Sequence, residues 1–298
     1  MIGWARRRRP ALVAVTALTL ALSACAQGEG TPANTAASQQ TPATAAPATS
    51  AVDKARSQGK LVIGVHYDLP GMGQIDGTSV KGAEIDFARQ IAQSIGGPEV
   101  KVEFVEAPPP ERDRLVQEGR VDLLVATFSM LAERKQKVTL AGPYIVAHQD
   151  TLVRAEDSSI ITAKDLAGKR LCKVEGSNSW KRVIDDAKIP AELVTAQSYP
   201  DCFVKLRANQ LDAVSTDDVI LAGFAAQEAF AYRFLNDPFT EEKYGVGIRK
   251  GDRKTCEAVN KAIGEMYQSG AAKSIFDKWF GKTNLKLSYT LPPLENCN

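Results

Sequence analysis

The segment "ATFSMLAERKQK", residues 126 to 137, sets Thr127, Ser129 and Arg134 directly behind an apolar run, "VDLLVA", that reads as a buried strand. A guanidinium carries its donors in a rigid fork that matches a carboxylate bidentately. Arg134 is therefore either aimed at an anion or one more solvated charge beside Lys135 and Lys137. Other positions offer chemistry of the same non-covalent kind. Ser177 and Asn178, in "GSNS", stand at the expected start of a helix, where free N–H groups and the dipole favour a carboxylate or are simply capped. Asp217 ends the run "AVST", with Asp218 as the fallback; an acid there can hold a cation or merely suit a helix N-terminus. His66, in "VHYDLPGMG", donates when neutral and carries charge when protonated, unless it is a packed strand-end residue. Arg112, in "PPPERDRL", is a second cation or half of a structural salt bridge.

Signatures of covalent, metal or nucleotide chemistry do not occur. There is no Walker A loop, no G-x-S-x-G and no H-E-x-x-H. "GMGQIDG" follows a strand but has Asp76 where the third glycine of a dinucleotide fingerprint belongs. Two histidines and no C-x-x-C spacing argue against a zinc site. The expectation is a binding protein, not an enzyme, with no cofactor.

The ends of the chain bound where such a site can sit. Residues 1–25 place Arg6, Arg7, Arg8 and Arg9 before an apolar run from Ala11 to Leu22, which is a secretory signal layout too short to span a membrane. Leu22-Ser23-Ala24-Cys25 resembles a bacterial lipobox, which implies lipid on Cys25 and an extracytoplasmic, membrane-anchored protein. Losing four arginines and no acid turns the formal charge of +2 into −2, so no basic surplus argues for nucleic acid. Residues 26–56 are expected to be a flexible Ala/Thr/Pro tether of about 30 residues, reaching roughly 30 Å. Four cysteines remain for an oxidising compartment and allow three pairings. Bridges within neighbouring segments, Cys172 with Cys202 and Cys256 with Cys297, are the expected choice.

Between these ends the pattern alternates strand and helix. "KLVIGVHY" and "EVKVEFVEA" read as strands, and "GAEIDFARQIAQSIG" as a helix burying Ile85, Ala88, Ile91, Ala92 and Ile95 until Gly96-Gly97-Pro98 stops it. A second set repeats the rhythm: "EGRVDLLVATFS" has its echo in "ANQLDAVSTDD". Each is helix end, buried strand, then polar turn, which predicts two α/β lobes of similar build. Lobe 1 is expected over 57–149 plus 246–298, and lobe 2 over 150–245. "YIVAHQDTLVRA" and "EEKYGVGIRKG" are the candidate crossover strands. Ligands of such sheets lie at the carboxyl ends of parallel strands, in the cleft.

Six blocks then carry a resemblance over about residues 57–282: "KGAEIDFARQIA", "GRVDLLVATFSMLAERKQKVTLAGPYIVAHQDTLV", "LAGKRLCKVEGSNS", "LDAVSTDDVILAGFAAQ", "EEKYGVGIRKGD" and "SIFDKWFGK". In this order they resemble the amino-acid-binding (family 3) solute-binding proteins of ABC importers, above all the glutamate-binding lipoproteins of actinobacterial uptake systems. The resemblance implies a two-lobed periplasmic-binding-protein-like fold (type II) with two crossover hinge strands. It implies capture of a polar L-amino acid, glutamate first, then glutamine, aspartate or asparagine, by a monomer that docks on an ABC permease. It assigns Arg134 to the ligand α-carboxylate, the Ser129 hydroxyl and Thr127 carbonyl to the ligand backbone, and Asp217 to the ammonium. Ser177 and Asn178 would join on closure. The family usually reads Thr/Ser-Ile-Thr where this chain has Ser129-Met130-Leu131, so Leu131 offers only its N–H. Glutamate-type members commonly carry lysine at the position of His66. If protonated His66 reads a γ-carboxylate, glutamate affinity rises as pH falls from 8 toward 6. A ligand sensor for a signalling partner, or a dehydratase or lyase on the same fold, are the alternatives.

Overall fold

The computed structural model describes residues 49 to 297 except 229, 230, 284 and 286. The signal layout, Cys25 and the tether up to residue 48 lie outside the described residues. The expected tether, residues 26–56, overlaps a helix at its described end. Ala51–Gln58 is a helix capped by Ser50, whose side chain accepts from Asp53 N, and Ala51, Val52 and Ala55 are buried. Its fixing groups are distant in sequence. Ala51 N donates to Asp252 Oδ2 at 2.9 Å, and Val52 N to Thr255 Oγ1 at 3.1 Å. Local composition, continuous with the tether, carries no trace of either bond.

Two five-stranded sheets follow. The first runs Lys101–Glu106, Lys60–Val65, Leu123–Leu124, Glu242–Ile248, Thr139–Ala147. The second runs Glu192–Ala196, Arg170–Val174, Ala213–Asp217, Gln149–Arg154, Tyr232–Phe234. In both, three parallel strands come first, and the fourth runs antiparallel to each of its two neighbours. The third place belongs to the echoed runs, Leu123–Leu124 and Ala213–Asp217, so the polar turns after them occupy equivalent positions. The fourth place in each sheet is taken by a crossover strand. Gln149 therefore pairs in the second sheet, opposite Asp217, and Glu242 in the first, opposite Ala147. The chain passes between sheets at His148 and again between Phe234 and Glu242, a few residues from the boundaries expected from sequence, because register rather than composition decides sheet membership.

Amphipathic helices cover the sheets. Ala83–Gly96 buries Ile85, Ala88, Ile91, Ala92 and Ile95 and ends at Gly97, φ 94°. Arg253–Gln268 buries Cys256, Val259, Ile263 and Met266, and Asp252 caps it by accepting from Thr255 N. "SWKRVIDDA" departs from expectation: only Ser179–Lys181 is α-helical, and Arg182–Asp186 continues as a π turn. The largest apolar cluster takes in Leu61 and Ile63 of the first sheet and Leu152 and Val214 of the second. Close backbone approaches join the two halves. A Cβ on Gly176 would meet the Pro109 carbonyl carbon at 2.5 Å, and one on Gly223 the Pro70 oxygen at 1.9 Å. Only glycine permits those approaches, even inside a helix where it otherwise costs stability.

Disulfides join Cys172 to Cys202 and Cys256 to Cys297. Replacing Cys172 and Cys202 together by serine is expected to lower unfolding free energy by about 2–4 kcal/mol through lost loop closure. Urea denaturation against the parent measures it; an unchanged midpoint would contradict this role.

Candidate functional site

The turn after Leu123–Leu124 is held in an unfavourable shape. Thr127 has φ 42°, left-handed for a β-branched residue. Its N–H donates to Glu84 Oε1 at 2.6 Å, and its carbonyl accepts from Arg112 Nη1 at 3.1 Å. Its hydroxyl lies 3.2 Å from His66 Nε2. Three side chains from three elements thus define one residue. The next residues pair with the crossover strand: Met130 N donates to Lys243 O at 2.8 Å and Gly245 N to Phe128 O at 2.9 Å. This leaves the Ser129 hydroxyl buried with no partner.

Arg134 sits on the short helix Ala132–Lys137 and is 5% exposed. Its Nη1 donates to the Ser129 carbonyl at 2.9 Å, and the guanidinium lies 4.3 Å from the centroid of the Phe128 ring. No carboxylate of the described residues forms an ion pair with it. Burial, then the charge of Arg112, pulls its pKa down to about 9, so it remains a cation at neutral pH. A buried cation resting on an aromatic face, with donors to spare and no counter-ion, is prepared for an anion from outside the chain.

Asp217 closes the equivalent turn of the second sheet. It is 5% exposed; Oδ2 accepts from the Tyr244 hydroxyl, and Oδ1 is buried without a partner. Burial, then the charge of Glu242, raises its pKa to about 7. Burial also pushes the Tyr244 hydroxyl well up, which keeps it a donor. Asp218 is otherwise engaged: Oδ1 accepts from His148 N at 3.2 Å and from its own helix at Val219 N, 2.8 Å. Between the two expected acids, only Asp217 presents an unused oxygen.

The remaining sequence candidates serve the frame. His66 is 1% exposed and both ring nitrogens are taken, Nδ1 by Asp68 Oδ1 at 3.2 Å and Nε2 by Thr127. Arg112 forms no salt bridge with a carboxylate. It donates instead to the carbonyls of Ala126, Thr127 and Gly176 at 2.8, 3.1 and 3.2 Å, and burial lowers its pKa. The Ser177 hydroxyl donates to Val174 O at 2.9 Å, and Asn178 Nδ2 to Glu242 Oε2 at 3.2 Å. The Leu131 N–H is spent on Ser129 O at 2.8 Å, so it is not available to a ligand in this geometry. After Asn178 three α-helical residues run directly into the π segment Arg182–Asp186.

Sequence reasoning missed Glu84 and Glu242. Glu84 is fully buried; Oε1 takes Thr127 N and the Tyr144 hydroxyl, Oε2 has no partner, and burial raises its pKa. Its signal was visible, since 84, 88, 91 and 95 form one stripe of the helix and the first is an acid on an otherwise apolar face. Glu242 had no comparable mark. A cavity of about 130 Å³ lies between the halves, lined by Ser129, Met130, Leu131, Arg182, Glu241, Glu242 and Lys243. A larger open hollow is lined by Thr49, Ser50, Asp53 and residues 249–254, none of them among these groups.

One face thus offers a cation and a hydroxyl, the other a carboxylate, which complements a zwitterion. The comparisons agree. The chain is 33% identical over 245 residues to glutamate-binding protein GluB of Corynebacterium glutamicum, covering 78% of this chain and 83% of that protein. It is 33% identical over 223 residues to the ABC transporter glutamine-binding protein GlnH of Bacillus subtilis, covering 74% and 81%. An ancestral arginine-binding protein bound to arginine superposes with a TM-score of 0.69 at 31% identity, over 75% of this chain and 99% of that one. Residues 61–282 match the family described as bacterial extracellular solute-binding proteins, family 3, and the chain belongs to that family.

Proposed function

We propose that this protein captures one polar L-amino acid, glutamate first and glutamine next, between two lobes and presents it to the membrane permease of an ABC importer. The observation that carries the reading is a buried Arg134 with no carboxylate partner among the described residues, next to the orphan Ser129 hydroxyl, together with the orphan Asp217 oxygen at the matching turn of the second sheet. Arg134 takes the α-carboxylate and Ser129 supports it. Asp217 takes the ammonium. Glutamate and glutamine come first because the relatives named for these ligands match over most of their length. Lobe closure turns on the crossings at His148 and between Phe234 and Glu242, bringing Ser177 and Asn178 over the site. Thr127, held by Glu84, Arg112 and His66, shapes the floor. The protein works as a monomer without turnover and is tethered to the outer face of the membrane through lipid on Cys25; among the described residues no helix is long and apolar enough to cross a membrane.

A thermal-shift screen of the twenty amino acids, followed by calorimetry, tests this. The expected result is a rise in melting temperature with glutamate or glutamine, one site per chain, and ligand recovered unchanged. No shift with any amino acid, or conversion of the ligand to product, would overturn it.

A further inference from the structure

The crossover strand Glu242–Ile248 belongs to the first sheet, yet its first side chain reaches the second half of the molecule. The Glu242 carboxylate is 1% exposed. Oε1 accepts from Arg182 Nε at 2.6 Å and Oε2 from Asn178 Nδ2 at 3.2 Å. Both partners lie in the turn that follows strand Arg170–Val174. The same carboxylate lines the cavity that Ser129 and Met130 wall from the first sheet and Arg182 from the second.

We propose that Glu242 is a positioning residue, a latch that holds the Asn178–Arg182 turn of the second lobe against the first and so sets how long a bound amino acid stays. The proposal rests on the amino-acid-binding reading of the site. Each of its bonds crosses from one sheet's elements to the other's. The pair is charge-assisted and almost dry on the Glu242 side, where such bonds are strong. Arg182 is 25% exposed on its side chain and has a second partner, Asp186, at 2.7 Å. Loss of Glu242 therefore strands no cation, and the variant is expected to fold. Ser129 Oγ, on the wall of the same cavity, has no protein partner, so the latch does not consume it.

Glu242 also acts through its charge. Asp217 is faced by Tyr244 and Glu242 from the crossover strand, by Asp218 on its own helix and by Arg112 from the helix Arg112–Gln117. Neutralising Glu242 removes a like charge from this set, and the Asp217 pKa moves down.

Stopped-flow binding of L-glutamate and L-glutamine to the mature chain, with Glu242→Gln, Arg182→Met and the double variant, tests the latch. Small-angle scattering of the empty proteins accompanies it. The expected result is a dissociation rate about tenfold faster in each single variant, a nearly unchanged association rate, and a double variant no faster than either. The acid limb of affinity moves to lower pH in Glu242→Gln and stays put in Arg182→Met. The empty variants scatter as larger particles than the parent. Unchanged dissociation rates with unchanged scattering, or a defect confined to association, would overturn the latch. If the parent binds neither amino acid, the functional reading fails, and the scattering comparison alone decides the latch.

Discussion

Arg134→Ala is expected to abolish measurable amino-acid binding while leaving the empty protein at least as stable as the parent. The two halves of that outcome share one cause. Folding buries this guanidinium beside Arg112 with no carboxylate to meet it, and its pKa falls to about 9. The empty protein bears the cost of that charge, and a ligand carboxylate relieves it. Truncating one partner of a buried, hydrogen-bonded charge pair typically costs about 2–5 kcal/mol or more of affinity. Here the carboxylate would also lose a bidentate geometry. Arg134→Lys keeps the charge without the fork and is expected to bind about 10–100-fold more weakly than the parent. Calorimetry reads the affinities, and thermal melting without ligand reads the stabilities. Full affinity in Arg134→Ala would remove Arg134 from the site.

Affinity is expected to fall in acid, about tenfold for each pH unit below 7. Asp217 in the empty protein carries a pKa of about 7, raised by burial and by Glu242. An ammonium needs its carboxylate form, so binding below pH 7 must first expel a proton. Proton release, measured by calorimetry in buffers of different ionisation enthalpy, should approach one per ligand near pH 6. This is the opposite sign to the behaviour expected from a protonated His66 reading a γ-carboxylate. The geometry favours the Asp217 sign, because both His66 nitrogens already have protein partners. Stability of the empty protein follows the same group. A folded pKa above the unfolded value of 3.8 makes a contribution to stability that is present at acid pH and lost as pH rises through about 7. Asp217→Asn should therefore lose binding and its acid limb together, yet melt higher than the empty parent at pH 8. An acid limb that survives in Asp217→Asn would assign the proton elsewhere.

Much of the scaffold was legible because its causes are local and periodic. The helix Ala83–Gly96 followed from its apolar stripe and its glycine-proline stop, and the resemblance between "VDLLVATFS" and "LDAVSTDD" announced two matching strands, which the fold then sets third in their sheets. The groups that shape the turn were less legible. His66 and Arg112 each stood as either a ligand contact or a structural residue, and in the fold they brace Thr127 and its neighbours. A side chain's type announces what it can donate, whereas its partner depends on elements dozens of residues away. The helix at Ala51–Gln58 makes the same point, since its anchoring bonds reach Asp252 and Thr255.

The sequence by itself determined the alternation of strand and helix, the doubling of that pattern, an aspartate at the end of one of two matching strands and an arginine in the polar segment after the other. These follow from side-chain periodicity and from the polarity of turns, which act over a few residues. Only the tertiary structure decided which polar atoms were left over. Ser129 Oγ and Asp217 Oδ1 are buried without a hydrogen-bond partner, and among the described residues Arg134 meets a backbone carbonyl but no carboxylate. Being unsatisfied is a property of the whole packing, and it is what turns three ordinary polar residues into a site for a zwitterion.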